Sequence, residues 1–510
     1  MTIATVSDHR GMRLTMSVSM RVEFIDCKNT NFKAKCCQVN LKMIKFACNN
    51  PNIFVDMASK IQFASKIGMI AATVGSAVGL GNVWRFPAEV QANGGAAFLL
   101  VYVACVLLLG IPVMLSEFAL GRAGQSDAVG AFGKVGAARP WKAVGGLAVL
   151  ASYMILCFYM VVAGWTFEYL LQSISGGLLD PISGETGLHS HYAAKMDSFI
   201  TDSVNPLVNT YMMILINIVV LIAGVRKGIE RMSNVAMPLL FVILVLFAVV
   251  SLSLPGASAG LDYFLHPDFS KITPGVVVNA LGQAFFSLSL GMGILITYAA
   301  YYPKDTRLVQ TSVVVSLLDL LVAVMMGLII FPAVTTFGLS GEGMQGATLV
   351  FVTLPEVFAQ LPATQLWAIL FFLLLTLAAL TSTISIAEVT VAFISDKFKI
   401  GRVKSCLIVL LPLFALSTVC SLSMGPWSDV LVCGMNIFDL LDNVATNLML
   451  PIGSIFLCVY MGWFAPKGMF KDQLTNFGTV RSRLYVPVLF VVRYIAPLLI
   501  CVVLVSYFIR

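Results

Sequence analysis

The chain has 510 residues, of which 59% are hydrophobic and 11% charged, and its formal net charge is +7. A soluble domain carries roughly a quarter of its residues as charged side chains, so this composition excludes one and indicates a protein dissolved in the bilayer. The apolar runs are about 20 residues long and lack the alternation of barrel strands, which predicts membrane-spanning helices. The basic residues lie in short loops and form no stripe interleaved with aromatic residues, so no nucleic-acid partner is expected.

The N-terminal 56 residues differ in composition from the rest of the chain. They hold eight Lys or Arg residues and four cysteines but no long apolar run, so they are predicted neither to span a membrane nor to form a secretory signal. Two interpretations stay open: a cytoplasmic extension at residues 1–56, or translated sequence upstream of a true start at Met57. Residues 57–510 then form one membrane domain.

A window of about 20 residues predicts eleven membrane spans. They lie at about 67–87, 96–120, 143–172, 209–225, 233–254, 275–301, 309–337, 365–396, 403–423, 428–463 and 486–508. Spans 1–5 thus cover about 67–254, spans 6–10 about 275–463 and span 11 about 486–508. Lysines and arginines concentrate in the loops after alternate spans, and the positive-inside rule therefore assigns these loops and the N-terminus to the cytoplasm. We expect a multi-pass protein of the cytoplasmic (inner) membrane.

The first span contains three glycines in seven residues, Gly75, Gly79 and Gly81, followed by Asn82 and Arg85. Each glycine costs a helix about 1 kcal/mol, and a charge at the centre of a bilayer costs more, so this segment is predicted to line a cavity. The carbonyls of a broken helix can coordinate a cation and its new N-terminus can attract an anion, which fits a sodium ion and a carboxylate. Close helix packing through small residues is the alternative, and Asn82 and Arg85 argue against it.

The sixth span repeats this pattern with FFSLSLGMG (residues 285–293), and the eighth carries the hydroxyl-rich ALTSTIS (residues 379–385). The first and sixth spans lie five apart and are the two most interrupted by glycine. Five spans plus five of opposite orientation is the inverted-repeat plan of secondary transporters. The fold prediction is therefore an all-α membrane protein with eleven transmembrane helices, an inverted five-helix repeat, and broken first and sixth helices.

Three segments, GSAVGLGNVWRFP, FFSLSLGMG and ALTSTIS, occur in this order, and they resemble the signatures of the neurotransmitter:sodium symporter family. The resemblance runs from about Lys60 to the end and is strongest to the eleven-span bacterial amino-acid transporters. It implies the fold predicted above and makes residues 57–510 a transporter domain. It also implies a sodium-coupled symporter that imports amino acids, hydrophobic or aromatic, by alternating access.

The resemblance implies two sodium ions with oxygen ligands, as a hard cation requires. The ligands of one are the carbonyls of Gly75, Val78 and Ala378 and the hydroxyls of Thr381 and Ser382. The ligands of the other are Ala77, Asn82, Ser287, Asp319 and a substrate carboxylate oxygen. An ionised Asp319 can neutralise sodium itself, and Ala323 one turn further on supplies no second acid, so we expect chloride-independent transport. A structural hydrogen bond is the alternative role for a lone intramembrane Asp.

The implied substrate pocket has largely apolar walls. Its residues are Ala77, Gly81, Ile155, Tyr159, Phe286, Ser287, Ser289, Met292, Ser382 and Ile386. Relatives that carry monoamines have an Asp at the position of Gly79, so the substrate here is expected to bring its own carboxylate.

Gate residues also follow from the resemblance. Arg85 with Asp442, and Gln283 nearby, are expected to close the outside, and Lys60 with Asp396 the inside. An incidental surface pair is the alternative for Lys60 and Asp396. In the fifth span, Gly228 and Pro238 have the spacing at which some bacterial members unwind that helix, and ordinary helix punctuation explains the pair as well.

Other classes of function fit less well. A channel needs a continuous polar pore, whereas these polar residues cluster at one depth. An enzyme is not expected, because all four histidines lie outside the spans. A substrate-binding sensor on the same fold stays open. The expected partners are a small-molecule amino acid and the lipid bilayer, and the sequence favours no particular oligomeric state.

Overall fold

The chain divides into two compact units, Met1–Ser59 and Lys60–Arg510. The computed structural model describes two short strands of the first unit and four stretches of the second, residues 62–179, 187–339, 346–480 and 483–509. In the first unit β1 (Val6–Ser7) pairs antiparallel with β2 (Arg13–Leu14). The described part of the second unit is built from helices.

These helices are numbered in chain order. They are α1 (Lys66–Ala77), α2 (Gly81–Ala92), α3 (Ala96–Gly124), α4 (Ala128–Lys134), α5 (Lys142–Ser175), α6 (Leu188–Thr201), α7 (Asn205–Ile222), α8 (Val225–Leu252), α9 (Ala257–Leu265), α10 (Pro274–Ser287), α11 (Ile294–Ala299), α12 (Leu308–Phe337), α13 (Gly346–Ala359), α14 (Thr364–Phe398), α15 (Arg402–Leu422), α16 (Ile437–Phe464), α17 (Met469–Leu474) and α18 (Tyr485–Phe508). Several contain a π-helical turn, at Gly81–Arg85, Val106–Gly110, Val225–Glu230, Leu349–Thr353, Asn443–Met449, Tyr460–Phe464 and Val491–Ile495.

Among the described residues, nine helices are singly long and apolar enough to cross a membrane: α3, α5, α7, α8, α12, α14, α15, α16 and α18. The bent pair α1 and α2 makes a tenth span if it crosses as one. The remaining predicted span, at about 275–301, is divided between α10 and α11. The predicted all-helical membrane fold is confirmed.

Two boundaries of the prediction are wrong: α8 begins at Val225 rather than near residue 233, and α16 begins at Ile437 rather than near residue 428. Cys433 and Gly434 both have positive φ, 53° and 80°, which a right-handed helix does not accommodate. The apolar residues before them suggested a span but form an exposed turn, in which Leu431 is 59% exposed.

The first membrane helix breaks between α1 and α2, which meet at 54°. Ser65 caps the start of α1 by accepting a hydrogen bond from the Gly68 N–H, and Val78 after its end has extended backbone angles. A Cβ atom at Gly79 would lie 2.6 Å from Ser382 Oγ, and one at Gly81 would lie 2.7 Å from the Phe286 ring. The glycines therefore allow neighbouring helices to approach the break closely, as well as ending the helix.

The sixth membrane helix breaks between α10 and α11. Three residues of the intervening segment have positive φ, namely Ser289 (54°), Gly291 (78°) and Gly293 (73°). Glycine adopts such angles at no steric cost, whereas serine does so less readily. The prediction of broken first and sixth helices is confirmed.

The two breaks lie at the centre of the helix bundle. The long helices α5 and α14 pack against each other, and α14 also contacts α1, α8 and α11. The outer helices expose apolar side chains, for example Val249 of α8 (62%) and Leu498 of α18 (65%). Such a surface suits contact with lipid, and the polar groups are gathered inside.

Candidate functional site

A cavity of about 360 Å³ lies between the two helix breaks, with α5 and α14 as its walls. Its lining is Ser76, Ala77, Gly79, Gly81, Ile155, Tyr159, Phe286, Ser287, Ser289, Met292, Ser382 and Ile386. All ten residues of the predicted substrate pocket are therefore brought together, and Ser76 and Gly79 join them. Their role in substrate binding stays a prediction.

Hydroxyl groups from the surrounding helices satisfy peptide groups that the first break leaves without helical partners. The Leu80 N–H donates to Tyr159 Oη (3.2 Å), and Ser289 Oγ donates to the Ser76 carbonyl (2.8 Å). Ser382 Oγ donates to the Val78 carbonyl (3.4 Å). Unwound backbone inside a membrane requires such partners, because no lipid group can replace them.

The first oxygen cluster joins α2, α10 and α12 beside the cavity. Asn82 Nδ2 donates to Asp319 Oδ1 (2.8 Å) and Ser287 Oγ (3.0 Å), and Ser287 Oγ donates to Asp319 Oδ2 (2.8 Å). Asn82 Oδ1 accepts from the Gly79 N–H at 3.2 Å. Asn82 and Asp319 are fully buried. The structure thus brings together three of the residues predicted for one sodium site, and Ala77 lines the adjoining cavity.

Tyr102 also belongs to this cluster, since its hydroxyl donates to Ser287 Oγ at 3.2 Å. The sequence did not indicate this residue. Tyr102 lies within a continuous apolar run of α3, where an aromatic residue gives no signal that distinguishes a ligand contact from core packing.

The second oxygen cluster lies where α14 meets the end of α1. Thr381 Oγ1 donates to the carbonyls of Leu377 (3.0 Å) and Ala378 (3.1 Å). A Cβ atom at Gly75 would lie 3.3 Å from the Thr381 Cβ, and the Val78 carbonyl already accepts from Ser382. All five residues predicted for the other sodium site therefore meet here.

The predicted outer gate residues are only partly paired. Arg85 Nε lies 3.9 Å from Glu89 Oε1, and its guanidinium stacks 4.6 Å from the centre of the Phe286 ring. Gln283 Nε2 donates to the Gly81 carbonyl (3.1 Å). Within the described stretches no ion pair joins Arg85 to Asp442, which lies early in α16.

Of the predicted inner gate, Lys60 lies outside the described residues. Asp396 Oδ2 accepts hydrogen bonds from the Asp127 N–H (3.0 Å) and Ser126 Oγ (3.3 Å). Asp396 therefore connects α14 to the turn before α4, a contact that the sequence did not indicate.

Buried carboxylates elsewhere are held by residues distant in sequence. Glu388 accepts from Arg402 Nη2 (2.7 Å) and from the Tyr301 hydroxyl (2.7 Å). Glu117 Oε1 accepts from the N–H of Gly291 (2.7 Å), in the break of the sixth helix. The sequence assigned no role to either glutamate, because a pairing across so many residues leaves no local pattern.

The chain is similar to known sodium-dependent transporters over most of its length. The profile described as "Sodium:neurotransmitter symporter family" matches residues 60–183 and 180–510. The uncharacterized sodium-dependent transporter YhdH of Bacillus subtilis is 36% identical over 444 residues, which are 87% of this chain and 96% of that protein. An uncharacterized sodium-dependent transporter of Haemophilus influenzae is 34% identical and covers 87% and 97% of the two chains.

Two further comparisons extend this similarity. The crystal structure of MhsT in complex with L-phenylalanine matches with a TM-score of 0.79 and 40% identity, over 88% of this chain and 99% of that one. The bovine sodium-dependent dopamine transporter is 26% identical, over 86% of this chain and 68% of its own length. The chain is therefore a sodium-dependent transporter and belongs to the sodium:neurotransmitter symporter family.

Proposed function

We propose that this transporter imports amino acids with hydrophobic or aromatic side chains by sodium symport. The observation that carries the proposal is the cavity at the two helix breaks, whose walls combine apolar side chains with serine hydroxyls. The similarity of the chain to MhsT, whose crystal structure is a complex with L-phenylalanine, supports the same substrate class. The absence of an acid at Gly79 argues against a monoamine.

The two ends of an amino acid would meet different parts of this cavity. The positive dipole at the N-terminal end of α2 would favour the carboxylate there, next to the hydroxyl of Tyr159, which accepts from the Leu80 N–H. Ile155, Met292 and Ile386 would surround the side chain, and flexible Met292 would adapt to different shapes. Phe286 and Tyr159 would then cover the substrate from outside.

One sodium ion would bind at Asp319. This carboxylate is fully buried, and its hydrogen-bond partners among the described residues, Asn82 and Ser287, are neutral. Burying an unpaired charge is costly, so a cation at this cluster would compensate the carboxylate. Asn82 would turn its amide so that Oδ1 becomes a ligand, and the Ala77 carbonyl and the substrate carboxylate would complete the set.

A second sodium ion would bind between α1 and α14. The carbonyls of Gly75, Val78 and Ala378 and the hydroxyls of Thr381 and Ser382 would form an all-oxygen set without a charge, which suits a hard monovalent cation; the contacts of Thr381 with Ala378 and Gly75 and of Ser382 with Val78 support this set. Because the ligands come from two helices, the ion would hold α1 against α14.

Chloride would not be required. Asp319 would neutralise its own sodium ion, and Ala323 one turn along α12 brings no second acid.

Arg85 would move from Glu89 to Asp442 to close the outside, beside Gln283, and Lys60 would pair with Asp396 to close the inside. The N-terminus and the basic loops would face the cytoplasm, as the positive-inside rule requires.

Uptake into proteoliposomes tests the proposal. Radiolabelled L-phenylalanine, L-leucine and dopamine would be offered with and without an inward sodium gradient, in chloride or gluconate. We expect sodium-driven accumulation of both amino acids but not of dopamine, and equal rates in the two anions. Sodium-dependent binding without accumulation would instead identify a substrate-binding sensor, and collapse of uptake in gluconate would refute chloride independence.

A further inference from the structure

A groove that shares no lining residue with the central cavity lies at the starts of α1 and α12. It consists of two adjoining hollows of about 850 and 700 Å³, which share Arg307, Gln310 and Val314 as lining residues. Lys66 lines the smaller hollow, and Val480 and Arg483 line the larger one. We call this feature the Arg307 groove.

The cations of the Arg307 groove lie where membrane helices begin. Lys66 is the first residue of α1, Arg307 directly precedes α12, and Arg483 lies two residues before α18. Helix ends of this kind lie at the level of lipid headgroups. The groove is therefore at the membrane interface, on the face to which the sequence analysis assigns the basic loops.

The charge of the Arg307 groove is uniformly positive. Among the described residues that line it there is no carboxylate. The side chains of Arg307 and Arg483 are exposed, and neither forms an ion pair with a described carboxylate, whereas Lys66 pairs with exposed Asp305 at 3.6 Å. Arginine is well suited to phosphate, because its planar guanidinium donates two parallel hydrogen bonds.

The floor of the groove is apolar and continues towards the membrane interior. Val313 and Val314 follow Arg307 by about two helical turns on α12. On the same helix, Leu317 (50% exposed) and Leu321 (45% exposed) extend this apolar surface. A soluble anion would make no favourable contact with this apolar surface, whereas the acyl chain of a phospholipid would pack against it.

We propose that the Arg307 groove binds an anionic phospholipid, with its headgroup phosphate between Arg307 and Arg483 and an acyl chain along Val313 and Val314. Because the lining includes Lys66 of α1, the bound lipid contacts the half-helix that ends at the central cavity as well as α12, which carries Asp319.

Native mass spectrometry of the delipidated full-length protein tests this directly. The protein would be titrated with dioleoyl-phosphatidylglycerol and, separately, with dioleoyl-phosphatidylcholine. We expect one phosphatidylglycerol to bind at least tenfold more tightly than phosphatidylcholine. Arg307→Ala and Arg483→Ala should each weaken phosphatidylglycerol binding about fivefold, the usual contribution of one basic residue near an anionic membrane surface. Equal binding of the two lipids would overturn the proposal.

Two further variants distinguish lipid binding in the Arg307 groove from lipid binding through the general positive charge of the protein surface. Lys404→Ala removes an exposed lysine near the start of α15, outside the groove, and should leave binding unchanged. Val313→Trp fills the groove but keeps both arginines, and should weaken binding at least tenfold. If Val313→Trp binds like the wild type, or Lys404→Ala weakens binding as much as Arg307→Ala, the lipid is held by general charge and the proposal is wrong. Arg307→Gln, which keeps a polar side chain but removes the charge, serves where the alanine variant does not fold, and should likewise weaken binding about fivefold.

Discussion

At the scale of single residues, Asp319 is the clearest chemical signal in the chain. It is fully buried in α12 and is held by Asn82 and Ser287, which come from the two broken helices. The family resemblance singled out this residue, and the cost of burying an acid inside an apolar run supports a functional role for it. Its hydrogen-bond partners also follow from the family motifs, whereas Tyr102 does not.

Replacing Asp319 by Asn should weaken sodium binding, because the amide supplies an oxygen ligand but no charge. We expect the sodium concentration for half-maximal uptake to rise at least tenfold, about 1.4 kcal/mol. A sodium titration of amino-acid uptake measures this. Ser316→Ala, a buried change on the same helix outside the cluster, should leave the titration unchanged. An unaltered titration in Asp319→Asn would show that Asp319 is structural.

Gly79 gives a second test at this scale. A Cβ atom there would lie 2.6 Å from Ser382 Oγ and 3.1 Å from Tyr159 Oη, so Gly79→Ala should distort the cavity and lower the affinity for L-phenylalanine at least tenfold. Competition binding measures the change. Gly282→Ala in α10 is the matched control, since a Cβ atom there meets nothing within 4 Å. If both variants bind equally well, the cavity is not the binding site.

At the scale of helices, α8 holds the start of α1. Glu230 accepts hydrogen bonds from the N–H groups of Ala64 (2.7 Å) and Ser65 (2.9 Å) and from Ser65 Oγ (2.9 Å). Glu230 ends the π-helical turn Val225–Glu230, which also contains Gly228. Unwinding of this turn, which the spacing of Gly228 and Pro238 suggests, would therefore release the N-terminal end of α1.

Glu230→Gln should loosen that end, because a neutral amide accepts more weakly than a carboxylate and presents only one acceptor oxygen. We expect amide hydrogen exchange at residues 62–68 to become about tenfold faster, as measured by mass spectrometry. Asp305→Asn, an exposed carboxylate 3.6 Å from Lys66, serves as the control and should not change exchange there. Unchanged exchange in Glu230→Gln would mean that other contacts fix this segment, such as the hydrogen bonds from the Phe63 N–H to the Tyr301 carbonyl (3.1 Å) and from Arg226 Nε to the Gln62 carbonyl (2.6 Å).

The helical elements were largely predictable, and their contacts were not. Glycine and hydroxyl patterns marked both breaks, since such residues are disfavoured in an uninterrupted helix. The start of α16 was misjudged, because an exposed apolar turn around Leu431 has the same hydropathy as a span. Pairings such as Glu230 with Ser65 and Glu388 with Arg402 depend on how helices pack, which no local pattern encodes.

At the scale of the whole molecule, all the described site residues belong to the unit Lys60–Arg510. A chain that begins at Met57 should therefore transport with the same rate and sodium dependence as the full chain. Uptake by the two forms, reconstituted at equal density, measures this. A lower rate in the shorter form, at equal thermal stability, would assign a function to residues 1–56.

Ser287 and Ser382 each belong to the cavity wall and to one oxygen cluster. In our proposal a mutation at either serine changes substrate and sodium affinity together, because ligands that share a residue are thermodynamically linked. Ile155, Met292 and Ile386 line the cavity but belong to neither cluster. Evolution of a new substrate preference would thus proceed through these three positions, and the serines would be held constant by the need to keep the sodium gradient as the driving force.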